Sequence, residues 1–352
     1  MKPLNKRLFA AMSYLPLRFI SDHWLQRLNG SRRITDRYHE VKKDSELFFA
    51  NLNLVAICLV FRKGAENRMH RHPSFNLLLH DDEELAEYLD SLVSQRITIH
   101  EWPLSCVQRL VTEQGARYIY KVQAPPTLEA QFYARAQSPL LVTVRVIEAK
   151  DNMTAMLMEE IQAPRLKDIP LKDSEAASIA TDLMGMISQI HGDLPVMFDI
   201  STEEGWAAYI EAALHDISEC IHEGSFKEVD IGKVNKLREW SQAPALLAEL
   251  RSPSGYVHAD LKAENVLVTN DGYRVLDWQR PIRGPVSLDA AALLHSLGID
   301  PVRYVPIGIM QIYHFLHLAW YAQAARKWVP QGKPWFDRLI AEIARDLELK
   351  QI

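Results

Sequence analysis

Cysteine is scarce in this chain: Cys58, Cys106 and Cys220 are the only three in 352 residues, and they stand far apart. No CxxC pair and no metal-ligand spacing occurs, which excludes a disulfide framework or a cysteine-built zinc site and points to a reduced, cytoplasmic compartment. Long apolar runs are also missing. No stretch approaches the roughly 20 apolar residues of a membrane span. Lys2, Lys6 and Arg7 precede LFAAMSYLPL, but Arg18 interrupts the run and no small-residue cleavage site follows. An amphipathic helix is therefore expected there, rather than a signal peptide. Positive charge is not in excess. Forty Lys and Arg against 45 Asp and Glu leave a net charge of −5, which argues against nucleic acid as the main partner. Internal repeats and low-complexity tracts are absent.

What remains is an ordinary globular composition, 48% hydrophobic and 24% charged, long enough for a large core and two or three domains or lobes. Residues 1 to about 45 read as helices with a polar break at Asn29-Gly30-Ser31. Leu52 to Phe61 (LNLVAICLVF) is a continuous apolar run of strand length. Asp81 to Val93 opens with acidic residues and repeats Leu85, Leu89 and Leu92 at helical spacing, as a helix start does. His70 and His72 alternate, as some metal ligands do. With no acidic or thiol partner nearby in sequence, they read as a solvated basic loop.

From about Ser105 the pattern changes. Val107 to Val111 and Tyr118 to Val122 alternate as strands around Gly115, and Pro125-Pro126 ends the second. Thr127 then caps a helix over Leu128 to Ala136. Two apolar strands follow, Leu140 to Ile147 and Thr154 to Met158, around the turn Lys150-Asp151-Asn152. Beyond Pro164 the chain reads as helical, except for Val266-Leu267-Val268 and Tyr273 to Leu276 joined by Thr269-Asn270-Asp271-Gly272, a strong hairpin signal. A β-rich lobe followed by a helical lobe containing one small hairpin resembles the element order of kinases. The expected divisions are an N-terminal α/β extension over 1–104, a nucleotide-binding lobe over 105–161 and a catalytic lobe over 162–352.

The chemistry concentrates in His258-Ala259-Asp260-Leu261-Lys262-Ala263-Glu264-Asn265 and in Val275-Leu276-Asp277-Trp278. Phosphoryl transfer needs a group to accept the incoming hydroxyl's proton, and oxygens to hold magnesium against the phosphates. Asp260 and Asn265 stand on a loop leading into one strand of the hairpin, and Asp277 closes the other. The hairpin should return Asn265 and Asp277 to the same end, where both can face one metal.

HADLKAENVLV followed by VLDWQ resembles the catalytic and metal-binding loops of aminoglycoside phosphotransferase and choline-kinase-type enzymes, which share the protein-kinase fold. The resemblance covers roughly residues 105 to 330. It implies an α+β, bilobal chain with a β-rich N-lobe and a mostly helical C-lobe, preceded here by the extra N-terminal segment. It further implies an ATP- and magnesium-dependent phosphotransferase acting on a hydroxyl of a small molecule of the aminoglycoside, choline or sugar type. Asp260 would be the catalytic base, Asn265 and Asp277 the magnesium ligands, and His258 and Asp289 braces of the loop. Lys121 and Glu129 would be the strand lysine on the nucleotide phosphates and its helix partner, and Glu159 to Ile161 the hinge facing adenine. Lys262 reads two ways, as a contact to the transferred phosphate or as a solvated loop lysine. Gln279 replaces the glycine of the protein-kinase magnesium loop, as small-molecule kinases allow. Tyr313, His317 and Trp320 are candidate acceptor contacts. A protein Ser/Thr kinase, favoured only by Lys262, and a catalytically idle nucleotide-binding scaffold are the alternative readings. Residues 1–104 lie outside this resemblance and are a candidate helical cap on the β-lobe, a small α+β domain or an oligomerisation element.

Overall fold

The structure, a computed structural model, describes residues 69–349. The expected N-terminal helices, the Leu52–Phe61 strand and Cys58 lie outside the described residues. The chain divides into two compact units, Met1–Arg117 and Tyr118–Ile352. Among the described residues no helix is long and apolar enough to cross a membrane.

In the first unit β1 (Met69–Arg71) pairs antiparallel with β2 (Leu78–His80). Helix α1 (Asp82–Leu89) follows, capped where Asp81 accepts the Glu84 N–H at 2.9 Å, with three acidic residues in its positive first turn. It buries Leu85 but stops before Leu92, which is exposed, so the helix is shorter than its leucine spacing suggested. Asp90 ends it in the left-handed region. Strand β3 (Val93–Trp102) then pairs with β4 (Ser105–Thr112) through two register shifts. The sequence reading left β3 unassigned. None of its residues is buried and its burial does not alternate, so no half-buried face marks it as a strand. His72 departs from expectation too. It is buried, and its Nε2 lies 3.1 Å from Glu101 on β3, a partner 29 residues away that no local pattern could show.

From Tyr118 onward come the rest of β5 (Arg117–Gln123), α2 (Glu129–Arg135), β6 (Val144–Ile147) and β7 (Thr154–Glu159). Strand β7 lies between β5 and β6, antiparallel to both, so that Met156 faces Lys121 on one side and Val146 on the other. Ala130 of α2 joins Val142, Met156 and Met158 in a small apolar cluster beneath these strands. Helices then dominate: α3 (Asp173–Ile187), α4 (Glu203–His222), α5 (Ile231–Ser241) and α6 (Pro244–Leu250). Four short strands follow, β8 (Ser254–Val257), β9 (Val266–Thr269), β10 (Gly272–Val275) and β11 (Ile282–Pro285), and then α7 (Ser287–Ser296), α8 (Ile307–Gln323) and α9 (Lys333–Leu349). Helix α8 packs on α4, α7 and α9 and is apolar nearly all round, as a helix enclosed by others must be.

The expected hairpin is β9–β10, with Val266 opposite Val275 and Thr269 opposite Gly272. A second pair, β8 with β11, brackets it and was not anticipated. These strands are four residues each, and β11 contains Gly284 and Pro285, so neither carries a strand signature. Together the two ribbons fix both ends of the segment that holds His258 to Asp277.

Candidate functional site

The loop between β8 and β9 is held from behind by one carboxylate. Asp289, in the first turn of α7, accepts the His258 N–H at 2.8 Å and the Ala259 N–H at 3.0 Å. Two backbone donors that would otherwise be orphaned in the interior are thereby satisfied. The His258 ring completes the brace. Its Nδ1 accepts the Asp260 N–H at 3.2 Å, so its Nε2 carries the proton and donates to the Leu276 carbonyl at 2.9 Å. The imidazole therefore ties the Asp260 loop to the end of β10. Ala259 is bent into the left-handed region at φ 66°, a conformation an alanine adopts only where its surroundings impose it. The result is that Asp260 projects from a clamped loop.

Asp260 faces Lys262, whose Nζ lies 2.8 Å from Oδ1. Burial alone would lower the Lys262 pKa, but the Asp260 charge outweighs it and holds the ammonium protonated. Lys262 is half-buried and paired with Asp260. The Asp260 carbonyl accepts the Asn265 amide N–H at 3.2 Å, which fixes the side-chain flip and leaves the Asn265 oxygen as its acceptor face.

Asn265 and Asp277 do return to one end of the β9–β10 hairpin, where the Leu276 N–H donates to the Asn265 carbonyl at 2.8 Å. Asp277 also has a positive φ of 71°. Its Oδ1 receives the Lys121 ammonium and the Gln279 amide, each at 2.5 Å. Lys121 reaches Glu129 of α2 as well, at 2.6 Å. One buried ammonium thus serves two carboxylates, and their titrations split apart. Burial raises Glu129 to about 7 despite Lys121. Burial also acts to raise Asp277, but the Lys121 charge and the Gln279 hydrogen bond prevail and hold it well below the usual carboxylate range. Lys121 itself, which burial would deprotonate, is kept charged by both acids. Helix α2 is locked to the same corner, since the Leu128 N–H donates to the Gln279 carbonyl at 2.8 Å and the Phe132 ring stacks on Trp278 at 4.4 Å.

The sequence candidates therefore fall into two polar sets around one hairpin: Lys121, Glu129 and Asp277, and Asp260, Lys262 and Asn265. Glu159 and Ile161 join neither set. Glu159 ends β7 with its side chain exposed, while Ile161 packs on the same apolar cluster as Leu276. Gln279 had been read only as a family marker. The structure gives it a hydrogen bond to the Asp277 carboxylate, a contact legible at most from its place two residues on.

A cavity of about 290 Å³ opens against Asp260. Tyr209, Arg280, His317, Trp320 and Trp328 are among the residues that line it. Two of the three aromatic candidates on α8 are thus in the wall. Tyr313 is not; it is buried beside His317, its carbonyl accepting the His317 Nδ1–H at 3.0 Å. Burial lowers the His317 pKa to about 4, so the ring is neutral at pH 7. Arg280 was missed. It follows D-W-Q directly, and its guanidinium lies 3.7 Å from the Trp320 ring centroid.

A carboxylate beside a cavity can accept a proton from a bound hydroxyl, and an aspartate and an asparagine oxygen at one hairpin end can share a hard cation. A buried lysine fixed by two acids can bind a polyphosphate. Residues 107–323 match the family model of the phosphotransferase enzyme family. Among solved structures the chain is similar to a thermostable mutant of the aminoglycoside phosphotransferase APH(4)-Ia in ternary complex with AMP-PNP and hygromycin B. The two share 16% identity over 75% of this chain and 97% of that one, with a TM-score of 0.50. It is also similar to the choline kinase LicA from Streptococcus pneumoniae, at 15% identity over 76% of this chain and 96% of that one, again with a TM-score of 0.50. At these identities the likeness is one of fold. No curated protein matches the chain.

Proposed function

This chain belongs to the phosphotransferase enzyme family, and on that premise we propose that it is a kinase transferring the γ-phosphate of ATP, with magnesium, to a hydroxyl of a small molecule. The observation that carries the reading is the arrangement around one hairpin: Asp260 at a cavity wall, and Asp277 bound to the Lys121–Glu129 pair. Residues 105–161 would serve the nucleotide and 162–352 the chemistry and the acceptor.

The acceptor hydroxyl lies in the cavity against the Asp260 carboxylate. Its oxygen forms the new bond to the γ-phosphorus as the bond from that phosphorus to the β,γ-bridging oxygen breaks. ADP leaves with the electron pair, and Asp260 takes the hydroxyl proton. Lys262, fixed on Asp260, places a positive charge beside the phosphoryl oxygens. Lys121 meets the nucleotide phosphates while Glu129 and Asp277 hold it in place, so little reorganisation accompanies binding. The donor set fits magnesium: an ionised carboxylate and an amide oxygen suit a cation that prefers few protein ligands and takes the rest from phosphate and water. When bound, the ion would neutralise charge on the β- and γ-phosphates, with Asn265 and Asp277 as its ligands. The backbone around Glu159 to Ile161 would face adenine.

Asp277→Ala tests the reading. A thermal melt with Mg-ATP at a hundred times its dissociation constant should show the parent stabilised by about 2.7 kcal/mol. The variant should lose most of that gain, together with all phosphate transfer in a metabolite panel, while its own fold persists. Unchanged turnover would remove Asp277 from the site. A parent that binds Mg-ATP but transfers to nothing, peptides included, would leave the idle scaffold.

A further inference from the structure

Of the twelve residues that line the Asp260 cavity, Asp260 and Arg280 are the only two with permanent charge. Asp260 is already matched by Lys262 at 2.8 Å. Arg280 has no direct partner; Asp260 and Asp277 act on it only through space. Its guanidinium rests on Trp320, and among the described residues it makes no ion pair or hydrogen bond. The guanidinium is half-buried but its donors reach solvent, so an anion entering the cavity would take the place of water there. The planar fork suits a carboxylate or a phosphate, which it grips with two parallel hydrogen bonds.

The rest of the wall supplies no negative charge. Phe198 stacks on Tyr209 with ring centroids 4.2 Å apart, and Trp320 lies 4.8 Å from Trp328. Such a cluster would ordinarily suit a quaternary ammonium, but a cation there would meet Arg280 on the Trp320 face. His317 offers a neutral ring nitrogen and no counter-charge. The cavity is also at the small end for ligand sites, enough for a compound of about one ring.

We propose that the acceptor is a small hydroxyl compound carrying an anionic group, carboxylate or phosphate, with Arg280 as the receptor for that group, and that polycationic acceptors are rejected. The inference rests on the kinase reading for the word acceptor, but the anion site stands on its own geometry. The hydroxyl would point to Asp260, the flat apolar part would lie among the aromatic rings, and the anion would reach Arg280.

Trp320 and Trp328 make the test direct, since tryptophan fluorescence reports occupancy of the cavity without turnover. Four matched alcohols serve as probes on nucleotide-free protein: para-(hydroxymethyl)benzoate, para-(hydroxymethyl)phenyl phosphate, neutral para-xylylene glycol and cationic para-(hydroxymethyl)benzylamine. At least one anion should bind roughly tenfold or more tighter than the glycol, with the amine weakest. The two anionic arms decide between carboxylate and phosphate. Arg280→Gln should cost that anion roughly ten- to a hundredfold in affinity and leave the glycol unchanged. Arg280→Lys, which keeps the charge, should recover part of the loss.

Equal binding of the amine, or no binding of either anion, would overturn the proposal. So would an Arg280→Gln loss shared equally by all probes, which would mean lost packing on Trp320, or a matching loss of ATP affinity, which would assign Arg280 to the nucleotide. The two readings fail separately. A protein that binds the anion but never Mg-ATP sinks only the kinase; one that phosphorylates amino alcohols in preference sinks only the anion receptor.

Discussion

Asp289 holds two backbone N–H groups with one carboxylate, and its burial has a measurable consequence. Loss of solvent raises its pKa to about 6 from an ordinary 3.8, although both N–H donors pull the other way. As pH climbs from about 4 to about 6, the unfolded chain releases this proton first, so the folded state falls behind. The stability this group contributes is complete below pH 4 and is lost through pH 6, by up to about 3 kcal/mol. Asp289→Asn has no proton to lose, and its amide nitrogen meets one of the two N–H donors, an expected deficit of about 1–3 kcal/mol at pH 4. Denaturant titrations of parent and variant should show that deficit shrinking by about 3 kcal/mol on going to pH 7. A deficit independent of pH would mean that the loop N–H groups fully match the charge. This residue was legible as a brace only through family resemblance, because its two partners lie 30 and 31 residues away.

The β9–β10 hairpin shows why some elements were readable. Thr269-Asn270-Asp271-Gly272 encodes its turn locally, and Gly272 has a φ of 126° that only glycine adopts freely. The same turn aligns Asn265 with Asp277, so turn chemistry and site geometry are one fact. Nothing lies within 4 Å of where a Gly272 Cβ would stand, so Gly272→Ala adds backbone strain without a clash. It should cost about 1 kcal/mol or more and weaken Mg-ATP binding severalfold by shifting Asp277. Gly185→Ala, in equally open space inside α3, should instead stabilise by about 0.5–1 kcal/mol and leave nucleotide binding alone. Thermal melts with and without Mg-ATP separate the two, and identical behaviour would uncouple the turn from the site. Strands β3, β8 and β11 escaped notice for the opposite reason. Their existence depends on partners across space: β3 buries none of its residues, and β8 and β11 are four residues long and contain glycine.

Over the whole chain, sequence order predicted the α+β class, and the family match agrees with it. The charged residues gathered around the β9–β10 hairpin were legible because a local turn brings their neighbours together. The cavity beside Asp260 was not. It is assembled from Pro126, Phe198, Tyr209, Ala259, Arg280 and α8, segments that share no local pattern and meet only through helix packing. Arg280 had no meaning until its lack of a partner could be seen. The account as a whole turns on Asp260 acting as the base of a phosphoryl transfer. The most direct measurement is the rate of phosphate transfer by Asp260→Asn, with ATP affinity and melting temperature determined on the same sample. Asparagine keeps the shape and the backbone contacts but cannot take the proton. Turnover should fall by about 10²–10⁴-fold while ATP affinity and melting stay near the parent values. A variant that folds, binds ATP and turns over at the parent rate would contradict the account.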